Sequence, residues 1–305
     1  MKKAFIQLHI AVLLAGFTAI LGKLIDLNEA WLVWWRLVLT IVCLWGILII
    51  RKELIKIEWK DVLKLFGVGG IIAMHWLFFY GSIKYSNVSV GVTCLSAIGF
   101  FTAIMEPLIR RRRIDIVEVL LGLLAIGGIY LIFDFFPEYK VGIIFGIISA
   151  LLACLFPIFN KTILNRFSPK IVTTYEMTGG LILLSLVIPF YLSYYPAPYF
   201  MPTPSDWFWL VILAVFCTVF AFILSLNSLK HLSAFTTNLS YNFEPIYSII
   251  MAFIIFNENK FLGAGFYYGF ALILLAVTFQ MMRVYRDRRK EMNLEFRKGI
   301  DAGIV

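Results

Sequence analysis

The sequence predicts an all-α membrane protein: ten transmembrane helices arranged as two inverted five-helix repeats. Three observations lead there. Of the 305 residues, 61% are hydrophobic, only 15% are charged, and the mean hydropathy is +0.90. Soluble domains carry about 45–50% apolar and about 25% charged residues. A soluble fold of this length could not hide so much apolar side chain, and the same richness excludes disorder. Second, ten apolar runs are each long enough to cross about 30 Å of hydrocarbon at about 1.5 Å per residue. Third, the basic residues fall almost entirely in alternate breaks between those runs.

The first run covers about 4–24, behind Lys2 and Lys3. That start has the charge pattern of a signal peptide. Its apolar stretch is too long for an h-region and no A-x-A site follows, so it reads as an uncleaved span. After the polar break Asp26-Leu27-Asn28-Glu29, the second run (about 31–50) carries Trp34-Trp35-Arg36. The third (about 63–82) holds Gly67, Gly69 and Gly70, then His75-Trp76 and Tyr80. Thr93 and Ser96 lie in the fourth (about 88–109), and Gly122, Gly127 and Gly128 in the fifth (about 115–136). Small residues such as these permit close helix contacts. The sixth run (about 141–161) contains Pro157 and ends at Asn160-Lys161; the seventh (about 171–192) contains Tyr175-Glu176. A loop with four prolines, Ser193 to Asp206, leads into the eighth (about 207–227). The ninth (about 233–256) includes Asn238, Tyr241, Asn242, Glu244 and Pro245, and the tenth (about 261–282) runs into a basic tail. The expected organisation is therefore one five-helix unit over 1–136, a second over 137–282 and a tail over 283–305.

With the N-terminus inside, twenty-two Lys and Arg fall in inside segments and four (Lys23, Lys84, Lys140 and Lys260) in outside ones. This count predicts both termini in the cytoplasm of a multi-pass protein of the cytoplasmic membrane. It also explains the net charge of +9 without a nucleic-acid partner. The partner expected of the Arg110–Arg113 run is anionic lipid. Cys43, Cys94, Cys154 and Cys217 each lie in an apolar run, with no CxxC spacing, and read as small buried hydrophobes.

Self-similarity divides the chain. Leu13–Ile25 matches Leu151–Ile163 at six of thirteen positions with an offset of 138, Lys23 aligning with Lys161. Ser82-Ile83-Lys84 matches Ser228-Leu229-Lys230 at an offset of 146, which also pairs Ile104-Met105 with Ile250-Met251. Five spans per half is an odd number, so the second half enters the membrane from the opposite side. Such inverted repeats allow one half to adopt the conformation of the other around a central site.

Ten spans in two halves, the segments Ser82–Ser89 and Asn227–Ala234 ahead of the fourth and ninth spans, Pro245 and Glu258 together resemble the drug/metabolite transporter superfamily, EamA type. Gly99 and Arg112, the first-half counterparts of Pro245 and Glu258, depart from that pattern. The resemblance implies a transporter fold, an export function and a small-molecule substrate.

Charged or polar groups at membrane depth are the candidates for function, since a charge at a helix centre costs about 2.5–3.5 kcal/mol on insertion scales. Glu244 is central to its run, beside Pro245, whose missing N–H frees the carbonyl of Tyr241. With Asn238, Tyr241 and Asn242 it suggests a wet cavity; the alternative is a structural bond between helices. His75, Trp76, Tyr80 and Ser96 complete the candidate wall. Arg36 and Glu176 stand at related positions of the two halves as gate or pore residues, though Arg36 could equally snorkel beside an aromatic belt. Pro245, Gly99 and Pro157 are the expected bend points.

No metal, cofactor, Walker or Ser–His–Asp motif is present. Energy for transport would then come from a proton gradient or an exchange substrate. The leading expectation is a secondary transporter of amino-acid-like or amphipathic metabolites. A lipid-modifying membrane enzyme would want acids, histidines or metal ligands clustered at one interface. A channel or scaffold would want a ring of like polar residues or a large partner domain. None of these is visible in the sequence.

Overall fold

The computed structural model describes residues 2–135, 137–232, 234–241 and 243–301, and every regular element among them is helical. The first three spans are Lys2–Leu24, Glu29–Ile50 and Trp59–Lys84. The fourth runs from Val88 to Arg110 and tightens into a 3₁₀ turn at Leu95–Ala97; the fifth is Ile116–Phe135. Lys140–Ile163 and Pro169–Tyr194 are the sixth and seventh. The eighth, Pro204 to His231, contains a π-helical turn at Val215–Phe220. Ala234–Tyr241 and Phe243–Phe256 form the ninth, and Ala264–Asp301 begins with the tenth. Eight of these segments are long and apolar enough to cross a membrane; the shorter apolar helices Ile116–Ile132 and Phe243–Phe256 complete ten.

Local chemistry sets the helix starts. Asn28 accepts the amide of Ala30, and Asn87 that of Val90. Ser168 caps the seventh span with Pro169 in its first turn, and Thr203 forms a capping box with Asp206. These groups satisfy amides that would otherwise be orphaned near hydrocarbon.

The packing is two-fold. The third span packs on the sixth and seventh, and its counterpart, the eighth, packs on the first and second. Likewise the first span lies against the ninth and the sixth against the fourth. The fifth and tenth spans cross on the axis itself. A Cβ on Gly128 would stand 2.6 Å from the carbonyl oxygen of Gly269, and one on Gly269 would stand 2.5 Å from that of Gly128. Ile273 and Ile132 flank the crossing in the same reciprocal way. Only glycine permits this approach, because any Cβ would overlap the facing backbone.

One end of the bundle gathers the first turn of the chain and the start of the tail: Ser228 donates to the Ala4 carbonyl, and Arg283 pairs with Asp115. We call it the terminal end and its opposite the distal end.

Candidate functional site

Midway along the bundle a cavity of ≈ 60 Å³ is lined by the first, second, third, fourth, sixth, eighth and ninth spans. That is room for a few waters. Small residues (Ala11, Ala15, Ala153, Ala221) create the space, and Trp76, Phe79, Phe156 and Phe222 wall it.

Arg36 is its cationic edge. Though 1% exposed, it is fully served. Its Nε donates to Thr218 Oγ1 at 2.8 Å and one terminal nitrogen to the Tyr80 hydroxyl at 2.8 Å. The other reaches the Cys217 carbonyl at 3.4 Å. The guanidinium carbon lies 3.6 Å from the centre of the Trp76 ring, a cation–π contact that substitutes for lost hydration. The π turn explains the acceptors. Thr218 donates to Leu213, five residues back, so the widened turn presents the carbonyl of Cys217 and the hydroxyl of Thr218 sideways. Gly22 makes room for the Tyr80 ring, which a Cβ there would strike.

Glu244 is the anionic edge. It lines the same cavity, is 7% exposed, and makes no ion pair within 4 Å among the described residues. Tyr241, from the same wall, donates to Ser225 Oγ at 3.0 Å. His75 Nδ1 lies 3.0 Å from the Ser149 carbonyl, while Ser149 Oγ donates to the His75 carbonyl at 3.0 Å. Ser149 Oγ also lies 2.8 Å from Nδ1, and with Nδ1 protonated toward the Ser149 carbonyl, Nε2 would be left as an acceptor. The cavity thus sets a cation, a carboxyl, an imidazole and aromatic faces around one small volume.

Of the sequence candidates, Glu244, Tyr241, His75, Trp76 and Arg36 line this cavity. Tyr80 supports Arg36 from behind. Ser96 is buried in the 3₁₀ turn between the lining residues Leu95 and Ile98. Gly99 follows that turn directly, Pro245 is buried beside Glu244, and Pro157 sits within the unbroken helix Lys140–Ile163. Glu176 does not reach the cavity. Asn242 and the side chain of Asn238 lie outside the described residues. Sequence reading passed over Thr18, which lines the cavity, and Thr218 and Ser149, which hold Arg36 and His75. A hydroxyl in the middle of an apolar run was the available signal for all three.

A second space, a crevice of ≈ 600 Å³, opens at the terminal end between the third, fourth and sixth spans. Val68, Ile71, Ile109, Ile158 and Phe159 form its apolar walls. Its mouth carries Arg166, which pairs with Asp61 at 2.8 Å, and Lys64.

The profile of the EamA-like transporter family matches residues 2–134 and again 140–282. The chain belongs to the EamA-like transporter family. Two curated relatives are each an uncharacterized transporter of Archaeoglobus fulgidus. One is 28% identical over 138 residues, covering 44% of this chain and 49% of the relative; the other is 26% identical over 147 residues, covering 48% and 51%. The chain thus spans about half the length of the curated relatives it matches. A solved crystal structure with 15% identity superposes with a TM-score of 0.65 over 90% of this chain and 96% of that one. At that identity it shares the fold alone. This EamA-like chain is accordingly a multi-pass membrane protein of two repeats.

Proposed function

We propose that the protein is a secondary transporter that moves small amino-acid-like or amphipathic metabolites outward across the cytoplasmic membrane by alternating access. The terminal end faces the cytoplasm in this reading, as the distribution of Lys and Arg favours. The units 1–136 and 137–282 rock about the Gly128–Gly269 crossing, with the 3₁₀ turn beside Gly99 as one bend point. The observation that carries the reading is that Arg36 and Glu244 line one aromatic-walled cavity between the two halves. A zwitterion finds a cation for its carboxylate, a carboxyl for its amine and an aromatic surface for its apolar part. Coupling is to protons or to exchange.

The test begins with untargeted comparison of media from deletion and overexpression strains, which names candidate substrates. Purified protein in vesicles is then assayed for counterflow of the best candidate. Glu244→Gln should abolish counterflow or change its pH dependence. Wild-type flux with unchanged pH dependence would make Glu244 a structural residue.

A further inference from the structure

Glu176 is 0% exposed in the seventh span, and the side-chain amide of Asn160, also 0% exposed, faces it from the sixth. Apart from this mutual approach of Glu176 and Asn160, no other group among the described residues hydrogen-bonds either side chain. The charged groups on surrounding elements are committed elsewhere. On the third span Asp61 holds Arg166, His75 holds Ser149, and Lys84 donates to the Ile25 carbonyl. On the second, Arg36 is bound to Thr218 and Tyr80, and Glu29 accepts from Tyr191. Lys161, on the sixth, donates to the carbonyls of Leu229 and Leu232; Lys230 and His231, on the eighth, are exposed. No cation therefore stands within ion-pair distance of Glu176 among the described residues.

An ionised carboxylate in such a place would cost several kcal/mol without compensation. Packing nevertheless holds the residue there. A Cβ on Gly69 would collide with the Glu176 carbonyl, so the third span lies directly on this point of the seventh. The next residues of both flanking spans, Val68 and Phe159, are walls of the terminal-end crevice. Asn160 and Gly69, which meet Glu176, are thus each one residue along the chain from a wall of a space large enough for many waters.

We propose that Glu176 with Asn160 forms a proton-binding site, distinct from the central cavity and reached from the terminal-end crevice, through which proton binding and release drive opening and closing of that crevice. The proposal rests on the transport reading and deepens it by separating the coupling site from the substrate site. With the crevice closed over it, the carboxyl holds its proton and the buried pair is neutral. When the third and sixth spans part, water reaches it, the proton passes to that water, and the carboxylate is stabilised in the open state. Asparagine suits both forms, since its amide accepts from a carboxylic acid and donates to a carboxylate. A metal cation would need more oxygen ligands than two carboxyl oxygens and one amide oxygen supply. A proton needs one.

The test reads the crevice itself and needs no substrate. Leu63 and Ile109, both exposed on the crevice, are changed to cysteine in full-length protein lacking its four native cysteines and are spin-labelled. Their separation is measured by pulsed electron resonance in lipid nanodiscs across a pH series. With Glu176 present, the distance distribution should switch between two populations as pH rises. Glu176→Gln should remain in the closed population throughout. Asn160→Ala should still switch, with a displaced midpoint, which decides the matter if the glutamine variant does not fold. Switching by Glu176→Gln like the parent would overturn the proposal. So would a parent that never switches, or one that responds to sodium at fixed pH instead of to protons. A chain that switches in this assay yet carries no substrate in vesicles would refute the transport reading and leave this site standing.

Discussion

Arg36 and Glu176 occupy the same register of the repeat. Asn28 caps the second span and Ser168 the seventh, and each charged residue stands eight positions further on. Both are fully buried. The resemblance ends there. Arg36 is held by two side chains, a carbonyl and the face of Trp76, while Glu176 faces only the Asn160 amide. The ends of the bundle differ in the same sense. At the distal end Glu258 accepts from Lys23, from the amides of Val88 and Ser89, and from the Ser89 hydroxyl at 2.7–3.1 Å. At the terminal end the third, fourth and sixth spans leave ≈ 600 Å³ open. The duplication therefore preserved backbone packing and not chemistry. A two-fold scaffold with unlike ends has unequal states, and this one is tied at the distal end.

The sharpest way to break that contrast is to exchange the two buried ionisable side chains for non-ionisable ones of similar length. Arg36→Met strands the Tyr80 and Thr218 hydroxyls and removes the cation that lines the same cavity as Glu244. Leaving buried polar groups without their partner costs about 1–3 kcal/mol each, so the unfolding temperature in detergent should fall by a large margin. Glu176→Gln keeps an amide that can still meet Asn160 and should shift the transition by less than about 1 kcal/mol equivalent. Equal losses in the two variants would mean that the halves are balanced after all.

The distal tie comes next. Glu258 is 3% exposed, and its carboxylate serves as an N-terminal cap for the fourth span, where an anion also meets the positive end of the helix dipole. Glu258→Gln keeps the volume and loses one acceptor and the charge. Hydrogen bonds to charged groups are worth about 1.5–3 kcal/mol. Hydrogen exchange at the Val88 and Ser89 amides should accelerate, while the terminal-end amides of the seventh span keep their protection. Unchanged exchange at Val88 and Ser89 would show that the distal end is held by packing alone.

Residue type and spacing made the scaffold legible well ahead of the site. Ten apolar runs and the 138 and 146 offsets reveal spans and repeat, because hydrocarbon accepts few alternatives to a helix. The aligned lysines do different work in the folded protein: Lys23 binds Glu258, and Lys161 closes the end of the eighth span through its carbonyls. Arg36 as a snorkelling residue was reasonable from Trp34 and Trp35. What sequence could not express is the π turn at Val215–Phe220, which turns acceptors toward Arg36. Nor could it separate Glu176 from Glu244, since both are single carboxyls in apolar helices and only helix crossing decides which one meets the cavity.

The smallest expected effect lies where the tail leaves the bundle. Arg283 pairs with Asp115, which also accepts the Val117 amide at 3.0 Å. The Arg283 hydrogen bond is the main reason that the Asp115 carboxyl is held below the usual carboxylate range, against a weaker opposing effect of burial. A carboxyl depressed by folding contributes stability that is present above its unfolded value, near about 3.9. That contribution disappears as pH falls through the lower folded value. Asp115 is 41% exposed at its side chain, and water screens the pair, so exposed pairs of this kind are worth about 0.2–1 kcal/mol. Asp115→Asn should therefore lower the unfolding temperature slightly at neutral pH, and the difference from wild type should vanish in acid. If the difference persists in acid, the Asn variant has disturbed the helix start at Val117, and the tail pair contributes nothing to the terminal end.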